Sequence, residues 1–318
     1  MRSEFELIQH IKKVHGLRHV GDDCAVLPKD ASTDMVVTAD MLVENVDFRL
    51  EWATPESIGH KALAVSLSDI AAMGASPVWA MVSIAVPEER WRADFVERFY
   101  DGWHKLAAEF GVELVGGDIS ISPQGVVVDS IVGGDVPAGR ALRRSGARPG
   151  DAIFVSGTLG GAAGGLELLE SGRRDEQNND KDVDALLSKQ LRPQPQILLV
   201  KQLQNLGICS SMVDVSDGLS SDLVHICRES GVGAMVDAEA LPINADLSSQ
   251  FPADKCLEMA LNGGEDLELL FTADEKKISD ANIAGISRIG RITANIGIIE
   301  LTRGGKASVL EPKGYRHF

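Results

Sequence analysis

Between Thr54 and Met73 the apolar residues Ile58, Ala62, Leu63, Val65, Leu67, Ile70 and Met73 cover nearly the whole circumference of a 3.6-residue helix. That distribution predicts a helix buried on more than one side. Thr54 supplies an N-cap, Pro55 the first helical position and Glu56 an acid in the first turn, while Gly74 and Pro77 stop it. Short apolar runs between turn residues predict strands over Asp34–Asp40, Val78–Val86, Val112–Val115, Gly125–Val136, Asp151–Ser156, Ser211–Val215 and Leu267–Phe271. A second helix opens at Pro87-Glu88-Glu89 and closes at Gly111, with Trp91, Phe95 and Phe99 at i, i+4 and i+8 as core packing. Another spans Leu219–Glu229. The polar, aperiodic stretch Ser171–Asp184 predicts a mobile surface loop.

Strands and helices mix in both halves, so the pattern predicts an α+β / α/β protein without short-period repeats. A chain of 318 residues suits two domains. The break falls near Ala147-Arg148-Pro149-Gly150, giving domains over 1–146 and 147–318.

Charge narrows the function. There are 31 Lys and Arg against 47 Asp and Glu, a net −16. This argues against a nucleic-acid-binding face and a basic membrane patch. No apolar run reaches the roughly 18–20 residues needed to cross a bilayer, and Met1–Glu6 lacks the apolar core of a signal peptide. Four scattered cysteines without a C-x-x-C pair fit a reducing cytoplasm rather than a disulfide framework or zinc ribbon. The seven histidines are equally dispersed.

Carboxylates recur where strands end or glycine turns begin: Gly21-Asp22-Asp23, Thr38-Ala39-Asp40, Gly116-Gly117-Asp118 and Asp214-Val215-Ser216-Asp217-Gly218. Asp69 lies inside the apolar helix, and Lys61, two turns away, is too far along it to pair directly. If these acids converge, each pair about 4 Å apart repels by about 4 kcal/mol at an effective dielectric of about 20, so cations are required. Hard oxygen ligands without His or Cys favour Mg²⁺, and several Mg²⁺ ions beside glycine turns suit phosphoryl transfer. Taken singly, each Gly-Asp or Asp-Gly pair is equally ordinary turn chemistry.

Other motifs are less specific. The run Gly157–Gly165 follows a strand and precedes a helix, so it is either a phosphate loop or a tight connection. It matches neither G-x-x-x-x-G-K-S/T nor G-x-G-x-x-G, and Gly304-Gly305-Lys306-Ala307 fails the same test. Arg140, Arg143 and Arg144 form the densest basic patch, either contacting phosphate or pairing with neighbouring acids. Cys24 has no histidine nearby in sequence and reads as a small buried side chain.

Taken together, Gly21-Asp22-Asp23-Cys24-Ala25, Thr38-Ala39-Asp40, Leu67–Ala75 (LSDIAAMGA), Gly116-Gly117-Asp118 and Gly139-Arg140-Ala141-Leu142 resemble the thiamine-monophosphate kinase family. Asp214–Leu219, Gly263-Gly264-Glu265-Asp266 and the terminal Gly314-Tyr315-Arg316-His317-Phe318 extend the resemblance over essentially the whole chain. The Gly-Asp-Asp and Ser-Asp-Gly pieces are shared with the wider aminoimidazole ribonucleotide synthetase superfamily. The last two segments favour the thiamine branch.

The resemblance implies transfer of the γ-phosphoryl of ATP to thiamine monophosphate, in line and without a phosphoenzyme, by a homodimer that pairs through its N-terminal domains. It implies that Asp23, Thr38, Asp40, Asp69, Asp118, Asp214 and Asp217 hold Mg²⁺, with Ala39 contributing only a backbone carbonyl. It assigns ATP to Gly117, Asp118, Arg144 and Ser216, and the thiamine end to Asp47, Glu265 and Tyr315. No residue is implied as acid or base. This chain departs from many relatives at Ala39, where they carry Thr, and at Asp47, where they carry His. Selenophosphate synthetase and the hydrogenase-maturation dehydratase are disfavoured, because the chain lacks a Cys- and Lys-bearing glycine-rich N-terminal segment and a C-terminal cysteine. A non-catalytic nucleotide or metal sensor of the same fold is the remaining alternative.

Overall fold

The computed structural model describes residues 4–174 and 180–315. Apolar runs of the first half pair as β1 (Ala25–Pro28), β2 (Thr33–Val43), β3 (Ser76–Val86), β4 (Glu113–Ile121) and β5 (Val127–Pro137). They form one sheet in the order β1-β2-β5-β3-β4, in which only β3 and β4 run parallel. The second half contributes β6 (Ala152–Ser156), β7 (Cys209–Val215), β8 (Gly233–Asp237), β9 (Glu268–Ala273), β10 (Ile286–Thr293), β11 (Ile299–Arg303) and β12 (Lys306–Val309). Their order is β12-β11-β8-β10-β6-β9-β7. The helices of the first half are α1 (Glu4–His15), α2 (Pro55–Ala72), α3 (Glu88–Trp91) and α4 (Phe95–Phe110). Those of the second are α5 (Gly161–Glu170), α6 (Lys181–Leu191), α7 (Ile197–Leu206), α8 (Leu219–Ser230), α9 (Ala253–Asn262) and α10 (Glu275–Ala281).

Helix α2 organises the site. Thr54 caps it by accepting the Ser57 N–H, and Leu63, Leu67, Ile70 and Ala71 are fully buried. One flank packs on β2, β5 and α4, another on β7 and α7 of the second half. Glycines let α2 and α4 approach: a Cβ at Gly59 would stand 1.9 Å from the Phe99 carbonyl oxygen, and one at Gly102 equally close to that of Glu56.

Several expectations are corrected. The helix predicted from Pro87 to Gly111 is two helices, and α3 buries none of its residues. Trp91 is exposed rather than core, because its turn of Glu, Arg and Asp neighbours breaks off before Phe95. Strand β2 continues three residues beyond Asp40, so that acid lies within a strand rather than at its tip. Strand β4 runs straight through Gly116-Gly117-Asp118 where a turn was expected. The polar stretch Ser171–Asp184 ends in helix: Asp180 caps α6 by accepting N–H groups of Asp182 and Val183, while 175–179 lie outside the described residues. Among the described residues no helix is long and apolar enough to cross a membrane.

Candidate functional site

Three carboxylates from distant parts of the chain converge. Asp23 precedes β1, Asp69 sits in the last turn of α2 and Asp214 near the end of β7, and one oxygen from each lies within 4.8 Å of the others. Neighbouring side chains orient each acid. Thr38 Oγ1 donates to Asp69 Oδ2 at 2.5 Å, and Ser68 Oγ to Asp214 Oδ2 at 2.6 Å. Arg144 Nη2 donates to Asp23 Oδ1 at 2.5 Å. Beside them Asp40 accepts from Ser66 Oγ at 2.7 Å.

Burial dominates their electrostatics. Desolvation pushes Asp40 up to about 6 and Asp214 up to about 7, and it raises Asp69 well above the usual carboxylate range. Asp23 is also raised by burial, against the pull of Arg144. Like charges add to the shift at Asp69, where Asp40, Asp214 and Asp23 all repel. Asp23 Oδ2 is buried without a hydrogen-bond partner. A buried acceptor left open costs about 1–3 kcal/mol, so Arg144 alone does not satisfy the cluster. Its donors are all oxygens, which fits a hard divalent cation such as Mg²⁺.

A cavity of about 690 Å³ opens on these acids, lined by Asp40, Asp69, Asp214, Ser216 and Asp217 together with Asp47, Glu265 and Tyr315. A second cavity of about 680 Å³, lined by His60, Lys105, Lys189 and Arg192, contains none of them. The 690 Å³ cavity is thus the one of the two that the acids face.

The remaining site residues are distributed as follows. Asp217 groups with Asp222 and His225 instead of joining the three acids. Asp222 accepts N–H groups of Asp217 and Gly218, which shapes the turn after β7. Asp47 accepts the Val43 N–H through its carboxylate at 2.7 Å. Tyr315 is tied by its N–H to the Asp217 carbonyl at 3.0 Å, whereas 316–318 lie outside the described residues. Ala39 is exposed on the strand face opposite Asp40.

Asp118 does not join the cluster. Its row across the sheet is Asp118, Ser83, Asp129 and Met41, adjacent to the row Gly117, Val82, Ser130 and Asp40. Adjacent rows point to opposite faces, so Asp118 and Asp40 lie on opposite sides. Gly117 has φ +152°, and a Cβ there would stand 1.9 Å from the Val82 carbonyl oxygen. Close strand packing accounts for that glycine.

The motifs whose roles the sequence left open take the following places. The glycine run before α5 is closed by the protein's own anion: Asp266 accepts N–H groups of Gly160 at 2.6 Å and Ala162 at 3.0 Å. Arg143 pairs with Asp22 at 2.6 Å and Arg144 with Asp23. Cys24 is buried, and burial followed by the charge of Asp69 pushes its thiol well up, which leaves it inert as a nucleophile. Sequence reasoning missed Ser66 and Ser68, although hydroxyls flanking Asp69 on an otherwise apolar helix were a signal. It also missed the partner of Lys61, Glu265, at 2.7 Å.

Comparison with known proteins identifies the family. The signatures of AIR synthase related protein, N-terminal and C-terminal domains, match residues 21–136 and 148–299. Thiamine-monophosphate kinase of Escherichia coli (strain K12) is 39% identical over 307 residues, 94% of this chain and 91% of that protein. The Bacillus subtilis (strain 168) enzyme of the same name is 36% identical over 327 residues, covering 99% of each. A solved structure described as AaThiL complexed with AMPPCP and TMP superimposes with TM-score 0.89 at 35% identity, over 100% of this chain and 99% of that one. With two matching domains and relatives aligned along nearly its full length, the chain belongs to the thiamine-monophosphate kinase family of AIR synthase related proteins.

Proposed function

We propose that this protein transfers the γ-phosphoryl group of ATP to the phosphate of thiamine monophosphate, giving thiamine diphosphate and ADP. The observation that carries the reading is the convergence of Asp23, Asp69 and Asp214, with Asp69 and Asp214 on the wall of the 690 Å³ cavity. The relative solved with AMPPCP and TMP supports the choice of substrates.

In the proposed site Asp23, Thr38, Asp40, Asp69, Asp214 and Asp217 hold Mg²⁺, aided by the Ala39 carbonyl. When bound, Mg²⁺ neutralises the charge of the transferring phosphates. Ser216 and Arg144, with Gly117 and Asp118, contact the nucleotide. Asp47, Glu265 and Tyr315 receive the cationic ring of the acceptor, for which two acids and an aromatic ring are apt partners. An oxygen of the acceptor phosphate attacks the γ-phosphorus as the bond to the bridging oxygen of ADP breaks. The acceptor is already an anion, so the step calls for alignment more than proton transfer.

We further propose that the protein is a cytoplasmic homodimer with its domain boundary at 146/147. Exposed Val115, Ile119 and Ile121 lie on the edge strand β4 and Met81 on β3 next to it, while Met41 stands on β2 in the cross-strand row of Asp118. Apolar exposure along an unpaired edge suits covering by a second copy. Asp118 lies on β4 as well and would act from that interface. Purified protein with Mg²⁺, ATP and thiamine monophosphate is expected to yield thiamine diphosphate on chromatography. Absence of product across a range of Mg²⁺ concentrations would overturn the reading. Mg-ATP binding without even a single turnover would instead identify a sensor.

A further inference from the structure

We propose that Lys61 is a positioning residue for the acceptor: it fixes Glu265 of the second domain and the Val43–Asp47 turn of the first against one face of α2. The inference rests on the reaction proposed above, in which Glu265 and Asp47 face the acceptor ring.

Lys61 is only 4% exposed in its side chain. A buried ammonium is tolerated only when its donors are satisfied. Its Nζ lies 2.7 Å from Glu265 Oε1 and donates to the Asp47 carbonyl oxygen at 3.2 Å. The other Glu265 oxygen accepts from the Gln190 amide. Both oxygens of this acid are therefore held, one from each domain.

The loop carrying Glu265 needs such restraint. Glu265 and Leu267 both adopt positive φ, +67° and +50°. Non-glycine residues stay there only where their surroundings over-determine them. Two backbone bonds supply part of that, from Glu265 N–H to the Ser216 carbonyl at 2.8 Å and from Leu267 N–H to that of Val215 at 3.0 Å. Lys61 supplies the tie to the first domain.

Spacing gives the tie its meaning. Lys61, Val65 and Asp69 stand at i, i+4 and i+8 on one helical face, and the latter two line the cavity. At 1.5 Å per residue, Lys61 and Asp69 are about 12 Å apart along the axis. Helix α2 thus sets the span between the acid cluster and Glu265, and Lys61 fixes its far end without touching the reacting phosphates.

The test compares Lys61→Met, Glu265→Gln and the double variant in steady-state kinetics, with amide hydrogen exchange on the same proteins. Lys61→Met is expected to raise the KM for thiamine monophosphate about ten- to hundredfold, because misplacing a positioning group costs about that much. The KM for ATP should stay within about twofold, and Lys61→Met should add little once Glu265 is already Gln, as coupled residues are non-additive. In Lys61→Met the amides of 264–267 should exchange about tenfold faster while those of β2 are unchanged. The double variant removes the buried ammonium together with its anionic partner, so it remains informative where the single variant folds poorly. Equal changes in both KM values, fully multiplicative effects or unaltered exchange at 264–267 would each overturn the proposal. If the wild-type protein makes no thiamine diphosphate, the proposed reaction fails, and the exchange result alone decides whether Lys61 fixes the loop.

Discussion

Two groups of carboxylates, one around Asp266 and one around Asp214, are satisfied in opposite ways. Asp266 and Glu268 are internally complete. The first accepts two backbone N–H groups at the start of α5, and the second accepts Ser156 Oγ at 2.5 Å with Lys189 Nζ 3.8 Å away. Asp23, Asp69 and Asp214 face one another, and one of their oxygens has no partner. Burial pushes Asp266 and Asp214 to the same value, about 7. A raised pKa therefore does not separate an architectural acid from a cation ligand. Unspent acceptor capacity among three converging carboxylates does.

The sharpest way to break that contrast is to neutralise one acid from each group. Asp69→Asn is expected to lower turnover by at least about a hundredfold, since it removes a proposed metal ligand. Its metal-free melting temperature should be unchanged or higher, because one mutually repelling anion is gone. Near-normal turnover with a normal melting curve would remove Asp69 from the ligand set. Asp266→Asn should do the reverse, costing about 1–3 kcal/mol in urea unfolding, because one of the two backbone N–H groups of the α5 turn then faces the NH₂ of Asn, which cannot accept from it. A fully stable Asp266→Asn protein would refute its architectural role.

A subtler separation uses pH. Asp40, Asp214 and Asp266 have folded pKa values of about 6, 7 and 7, above the ordinary carboxylate value of 3.8. Between those limits the folded chain binds more protons than the unfolded chain. Stability is then greatest at low pH within the window and falls as pH rises through about 6 to 7. Metal-free protein is accordingly expected to melt at a lower temperature at pH 8 than at pH 5.5. Millimolar Mg²⁺ should recover the acid cluster's share and leave that of Asp266. Differential scanning fluorimetry at both pH values reads this directly, and a loss unaffected by Mg²⁺ would count against cation binding at the cluster.

Much of this was legible in the chain and some was not, for physical reasons. The caps of α2 are local signals, and Thr54, Pro55 and Gly74 mark its ends as expected. Asp23, Asp69 and Asp214 stood out as acids beside glycines or within an apolar helix. Their convergence depends on contacts between distant segments, which periodicity does not encode. Gly116-Gly117-Asp118 misled because glycine serves both turns and close strand approach, and only the Val82 carbonyl beside Gly117 distinguishes them. The Gly157–Gly165 run was ambiguous for a related reason: its would-be anion site is filled by Asp266 from far along the chain. Lys61 seemed stranded because its partner belongs to the other half.

Helix α2 belongs to the first half by connectivity, yet it buries residues against both sheets' domains. The two halves consequently share a keel. Loosening either one strips apolar cover from the same helix, so they should unfold cooperatively as a single unit despite being separable as sequence modules. Selection on α2 thus answers to both halves at once, and neither can drift or be exchanged for a distant counterpart without refitting that common surface.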